Sequence, residues 1–415
     1  MARAAAPRYA RHDNAAERAP AFLSRRTAAS PGQDARGGLT MPRIAQVEAL
    51  GLGAGLYVRV TTEDGTVGIG QSACWGYPGA VASVVESFAG YLVGQDPFRI
   101  EHHWNYLFRV GPFRGNVLSG AISAIDIALW DIKGQALGVP IWELLGGRCR
   151  DRVRLYLLMG GDTADDIAAN ARRALAEGFT AIKFDPVPPG YQDMTLEALV
   201  AGTRDRVAAA RETVGASADI VVELHRKLTP LQTLPLCEAL APLRPLFIED
   251  PIQIDSIQSQ AEIARRVSTA IANGERLSSI WEFRELLADG GSQYVRPDVG
   301  LAGGISHCKK IAAIAESYHA AIVTHNFLGP VLTAASVHLD VAVPNFVVQE
   351  YSMLDETLAE AFPGALRREG GYLPLPNLPG LGVRIDEARA AAIGGPVLDV
   401  RANLLRADGS VARAV

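Results

Sequence analysis

The stretch 219-DIVVELHRKLTP-230 holds an apolar run of strand length, 220–222, that stops at Glu223 with His225, Arg226 and Lys227 close behind. Runs of the same kind recur along the chain: 153-VRLYLLM-159, 180-TAIKF-184, 219-DIVVE-223, 245-PLFIE-249, 269-TAIANGE-275, 293-QYVRPD-298, 320-AAIVTH-325 and 345-NFVVQE-350. A segment of helical pattern follows each. Strands alternating with amphipathic helices make βα units and a parallel sheet. Eight consecutive units favour a closed (β/α) barrel of the TIM type over an open sheet. The polar residues that end the later runs fall at 223, 249, 275, 298, 325 and 350, steps of 23 to 27 residues, each long enough for one strand, loop and helix. A longer step separates Lys183 from Glu223 and leaves room for the Pro- and Gly-rich loop 186-PVPPGYQDM-194.

Upstream the pattern differs. In 57-YVRVTTEDGTVGIGQS-72 two β-rich runs flank Asp64-Gly65, which predicts a hairpin. The segment 119-SGAISAIDIALWDIKGQALG-138 predicts a helix with a broad apolar face, ended by Gly138 and Pro140. A meander followed by helices gives an α+β capping domain over 41–150, ahead of a barrel domain over 151–375 and a segment, 376–415, that returns to the cap. Residues 1–40, rich in Ala and Arg and without a sustained apolar period, read as a disordered leader, or as the product of an upstream start codon with Met41 as the natural start.

Composition excludes several classes. A chain of 415 residues that is 48% hydrophobic can bury a large core. The formal net charge of −5 and the lack of a basic stripe argue against a nucleic-acid partner. Cys74, Cys149, Cys237 and Cys308 are scattered without a CxxC pair, which suits reduced thiols in a cytoplasmic protein. No apolar run approaches the roughly 20 residues of a membrane span.

In a parallel barrel all strand C-termini lie on one rim, where active sites of this architecture are built. Around that rim the chain places Lys183 and Asp185, Glu223 and His225, Glu249 with Asp250, Glu275, Asp298, His325 and Glu350. Three carboxylates converging in a low-dielectric mouth repel one another, and a hard divalent cation relieves the repulsion. Mg²⁺ suits Glu223, Glu249 and Glu275 better than zinc, because these positions offer neither Cys nor a pair of His. The plainer alternative is three unrelated acidic residues where loops begin. His325 and Asp298 end neighbouring runs, so the Asp can orient the His as a general base. Lys183 is open to three readings: a second acid/base, a charge partner for a substrate anion, or a surface lysine.

These motifs resemble the enolase superfamily in its mandelate racemase/muconate-lactonizing branch. The resemblance rests on 120-GAISAIDIALWDIKGQALGVPIWELLGG-147, 246-LFIEDP-251, 273-NGERL-277, 296-RPDVGLAGGI-305 and 324-THN-326, and covers nearly everything from Met41 onward. It implies a cap over a modified barrel with one essential Mg²⁺ held by Glu223, Glu249 and Glu275. It also implies a His325–Asp298 base dyad, and Glu350 as the acid that hydrogen-bonds the substrate carboxylate. The shared chemistry would be removal of the proton α to a carboxylate, giving an enediolate. Glu223-Leu224-His225 is similar to the third-strand motif of the family's sugar-acid dehydratases of galactonate and mannonate type, in which the His assists loss of the 3-hydroxyl. Period-2 alternation would point Glu223 and His225 to the same side. Two departures stand out: the first ligand is Glu where those enzymes usually carry Asp, and Lys183-Phe184-Asp185 replaces the Lys-x-Lys of the racemases.

The expected protein is therefore a Mg²⁺-dependent dehydratase of a sugar acid, an aldonate or aldarate, yielding a 2-keto-3-deoxy acid. Its partner would be a small carboxylate substrate, and the resemblance implies a homo-oligomer. The alternatives are a racemase, epimerase or cycloisomerase using Lys183 and His325, or a non-catalytic member of the fold. The segments 74-CWGYPG-79 and 112-PFRG-115 are candidate lids.

Overall fold

The structure, a computed structural model, describes residues 42–53, 55–393 and 405–411; the expected leader over 1–40 lies outside them. An antiparallel meander comes first: β1 (Ile44–Leu52), β2 (Gly55–Thr62) and β3 (Val67–Ser72). The expected hairpin joins β2 to β3. There Asp64 Oδ1 accepts from the Thr66 amide at 3.1 Å, and Gly65 takes a φ of 85° that favours glycine. Helices α1 (Pro78–Leu92), α2 (Ile100–Arg109) and α3 (Asn116–Leu137) follow. Helix α3 ends where the sequence said, at Gly138 in the left-handed region, but starts at Asn116, ahead of the apolar pattern. It is buried on most of its surface, consistent with a helix that is apolar nearly all round. Gly68 and Gly70 let it sit against the sheet: a Cβ on them would lie 2.1 Å and 1.9 Å from the carbonyl oxygens of Ala128 and Ala124.

The eight expected runs form eight parallel strands: β4 (Arg152–Leu158), β5 (Ala181–Phe184), β6 (Asp219–Glu223), β7 (Phe247–Glu249), β8 (Ile271–Asn273), β9 (Tyr294–Val295), β10 (Ala321–Ile322) and β11 (Gln349–Tyr351). Each pairs in parallel with the next from β4 to β10, and β11 pairs with β4. A parallel bridge between Ile322 and Phe346 closes the ring between β10 and the residues leading into β11. A last strand, β12 (Tyr372–Pro374), lies antiparallel on β4. The fold is thus a TIM-type barrel preceded by an α+β cap. Inside the ring Tyr156, Ala181, Val221, Phe247, Ala272, Val323 and Val348 form one buried cluster, while the alternate residues pack outward against the helices. Burying a Val, Leu or Phe side chain stabilises by about 1.5–3 kcal/mol, so both layers of each strand hold the ring shut.

Strands β8, β9 and β10 stop short of Glu275, Asp298 and His325, which the sequence had placed at their ends. Gly274, at φ 131°, turns the chain after β8, and Pro297 has no N–H to give after β9. The ladder resumes beyond the proline, where Asp298 and His325 form a parallel bridge. Near the C-terminus the Gly380 amide donates to Val139 O at 2.9 Å and the Leu381 amide to Asp131 Oδ1 at 2.8 Å, so this part of the chain lies against the end of α3. Among the described residues no helix is long and apolar enough to cross a membrane.

Candidate active site

Glu223 and Glu249 are the last residues of adjacent strands and stand directly opposite each other in the β6–β7 register. Glu275 joins them from just beyond β8. One oxygen from each of the three lies within 4.8 Å of the others, and all three side chains are buried. The sequence placed these residues on one rim, and the β6–β7 register brings Glu223 and Glu249 to one level.

Cations crowd the same space. Lys183 Nζ, fully buried, lies 2.7 Å from Glu223 Oε2, 2.5 Å from Glu249 Oε1 and 3.1 Å from Glu350 Oε1. It is no surface lysine. Arg296 Nη2 lies 2.8 Å from both Glu249 Oε1 and Glu350 Oε2, and its Nη1 donates to the Tyr156 hydroxyl. Arg226 Nη1 bridges Asp250 Oδ2 and Glu275 Oε1 at 2.5 Å each. Burial and Arg296 oppose the Lys183 charge, but the surrounding carboxylates outweigh them and hold its pKa well above the ordinary lysine value.

The triad divides electrostatically. Burial, with the Glu223 charge beside it, pushes Glu249 well above the usual carboxylate range despite Arg296 and Lys183. Burial also opposes the charges on Glu223 and Glu275. Lys183 in the first case, and His325 with Arg226 in the second, hold both below that range. Asp250 is pushed up to about 6 by burial and by Glu275.

His325 Nδ1 lies 2.6 Å from Asp298 Oδ2, and Asp298 Oδ1 accepts from the Gly300 amide at 2.7 Å. This bond orients the ring, and in the neutral imidazole it places the proton on Nδ1 and lets Nε2 accept. Nε2 faces the triad, 3.4 Å from Glu275 Oε2 and 4.0 Å from Glu350 Oε2. Glu350 accepts hydrogen bonds from Lys183, Arg296 and the Asn326 amide. It therefore stands here as a carboxylate. The donor role implied by the resemblance needs a proton, which Lys183 and Arg296 disfavour.

Strand alternation does not place His225 beside Glu223. Strand β6 ends at Glu223, and His225 and Arg226 take left-handed φ values of 52° and 62°, so strand alternation has lapsed. The turn directs the His225 amide to Glu223 Oε1 at 2.7 Å and the Arg226 amide to Asp250 O at 2.8 Å. Non-glycine residues in this region cost on the order of 1–3 kcal/mol and cluster at functional sites. His225 lines a cavity of about 520 Å³ with Asp185, Tyr191 and Lys227. In the ring order β6 and β10 are four strands apart, so His225 and His325 approach the mouth from opposite sides.

Sequence reasoning gave no role to Arg226, Arg296 or Tyr156. Arg296 could have been found, since a charged residue interrupting an apolar run needs a buried partner. Of the candidate lids, 74–79 reaches the site through Trp75: its ring centroid is 6.4 Å from that of Phe327, which lies 5.4 Å from His325. The 112–115 segment packs instead on the cap, with Arg114 over the Phe108 ring and Phe113 83% exposed.

Comparison with known proteins agrees with this architecture. Residues 46–146 match the mandelate racemase / muconate lactonizing enzyme N-terminal domain, and 166–389 match the enolase C-terminal domain-like family. A D-galactonate dehydratase of Ralstonia nicotianae is 39% identical over 376 residues, covering 86% of this chain and 96% of the relative. One from Pectobacterium atrosepticum is 38% identical over 348 residues, covering 80% and 89%. A solved enolase from Agrobacterium radiobacter, a candidate galactarate dehydratase with Na and L-malate bound, is 32% identical with a TM-score of 0.83, covering 90% of this chain and 100% of that one. The chain belongs to the mandelate racemase/muconate lactonizing enzyme family of the enolase superfamily, and it is an enzyme of the hydro-lyase class.

Proposed function

We propose that the protein is a Mg²⁺-dependent dehydratase of a sugar acid that converts it to a 2-keto-3-deoxy acid. The observation that carries the reading is the buried Glu223–Glu249–Glu275 triad, with His325 on one side of the barrel mouth and His225 on the other. The relatives' activity on D-galactonate supports the same substrate class.

The triad fits a hard cation. It offers only carboxylate oxygens, and Glu249 Oε2 is buried without a hydrogen-bond partner. Bound there, Mg²⁺ supplies positive charge against the negative charge that develops on the substrate carboxylate as its α-proton leaves. The chain's own groups do the rest. Lys183 and Arg296 add fixed positive charge beside the triad, where water is largely excluded. His325 Nε2, oriented by Asp298, removes the C2 proton. His225 protonates the 3-hydroxyl, the C3–O bond breaks, water leaves, and the enol tautomerises to the 2-keto acid.

The test is a panel of aldonic and aldaric acids with Mg²⁺, scored for 2-keto acid formation. At least one acid should be converted; silence across the panel removes the proposal.

A further inference from the structure

The cavity that His225 helps to line holds none of the three triad carboxylates, and apart from His225 none of its lining residues has a part in the proton transfers described above. Its volume is about 520 Å³, and its walls come from the ends of β4, β5 and β6: Asp162, Asp185, Tyr191, Gln192, His225 and Lys227 among others. His225 belongs to both places: its amide donates to Glu223 Oε1, and it is among the residues that line the cavity. A substrate that presents its 3-hydroxyl to His225 has this space beside its remaining carbons.

The wall is polar and its charges are already paired. Lys227 Nζ bonds Asp185 Oδ2, and Asp185 Oδ1 accepts from the Val187 amide at 2.9 Å. Lys227 also lies 5.7 Å from the centroid of the Tyr191 ring. Lys227 is the one lysine or arginine among the described lining residues, whereas two carboxylates, Asp162 and Asp185, line the same cavity. A neutral polyol end finds acceptors in Asp185 and donors in Lys227 and the Gln192 amide. Among the described lining residues, the one lysine or arginine that a second carboxylate would meet is already bonded to Asp185, His225 is engaged by the 3-hydroxyl, and two like charges lie nearby.

Resting on the dehydratase reading above, we propose that this cavity holds the distal carbons of an aldonic acid and that the Asp185–Lys227 pair selects a terminal alcohol over the terminal carboxylate of an aldaric acid. Asp185 and Lys227 are then specificity-determining residues. Removing the Asp185 charge would release Lys227 to receive an anion.

The experiment compares kcat/KM for an aldonate and the aldarate of the same configuration, which differ only at the terminal carbon, in the wild type and in Asp185→Asn and Lys227→Gln. The wild type should favour the aldonate at least 100-fold. Asp185→Asn should narrow that ratio at least tenfold, mainly through a lower KM for the aldarate. Lys227→Gln should weaken the aldonate without admitting the aldarate. Equal or better use of the aldarate by the wild type overturns the proposal without needing any variant to fold. An unchanged ratio in an Asp185→Asn protein with wild-type thermal stability also overturns it. Turnover of neither acid type, across all configurations, defeats the dehydratase reading itself, and this inference with it.

Discussion

At the scale of single residues, the site joins one oriented imidazole to a carboxylate triad surrounded by buried cations. The 2.6 Å bond from His325 to Asp298 fixes the ring, so His325→Asn should lower turnover by about 10²–10⁴-fold, the usual worth of a positioned general base. Exchange of the substrate α-proton with deuterated water should vanish in that variant; retained exchange would move the base elsewhere, with Lys183 first to be tested. Glu249→Gln should abolish the rise in melting temperature that Mg²⁺ gives the wild type, a binding readout independent of activity. A rise of equal size in the variant would move the ion off the triad. Much of this was legible in the sequence, because a carboxylate or imidazole that closes an apolar run stands out against its neighbours. The surroundings of His225 were not, since its left-handed backbone follows from bonds to Glu223 and Asp250 that no local pattern encodes. Arg226 and Arg296 were missed for a related reason: their partners lie on other strands.

Among the elements, the most demanding contact is that of α3 on the cap sheet. Gly70 brings its backbone so close to α3 that an added methyl would overlap the Ala124 carbonyl. Gly70→Ala should therefore destabilise the protein by about 1–3 kcal/mol, seen as a lower midpoint in denaturant with an unchanged slope. A midpoint equal to the wild type would show that the helix can shift at little cost. The sequence announced α3 and the hairpin, because an apolar helix period and an Asp-Gly turn are local signals. It could not announce these glycines as packing contacts, which depend on where α3 docks. Likewise the strand runs were visible but their ends were not, as Gly274 and Pro297 cut the ladders where the rim bends.

At the scale of the whole molecule, α3 also joins the cap to the barrel through Asp126, whose Oδ2 accepts from the Ser306 amide at 3.0 Å. Burial, only partly offset by the Ser306 bonds, pushes this carboxyl up to about 7. The folded protein thus keeps a proton that the unfolded chain releases near the ordinary aspartate pKa of about 3.9. Its stabilising contribution is complete below that value and is lost as pH rises to about 7. The stability difference between wild type and Asp126→Asn should accordingly move against the wild type across this window, read by denaturant titration at several pH values. A difference independent of pH would show that Asp126 is charged throughout.

The proposed reaction would draw on the whole barrel, since its two imidazoles follow strands β6 and β10 on opposite sides of the ring. The measurement that tests this most directly is proton NMR of a converted sugar acid in deuterated water with His225→Asn and Mg²⁺. The account predicts that the C2 proton signal is lost to exchange while no 2-keto acid forms. Dehydration at the wild-type rate in this variant would contradict it.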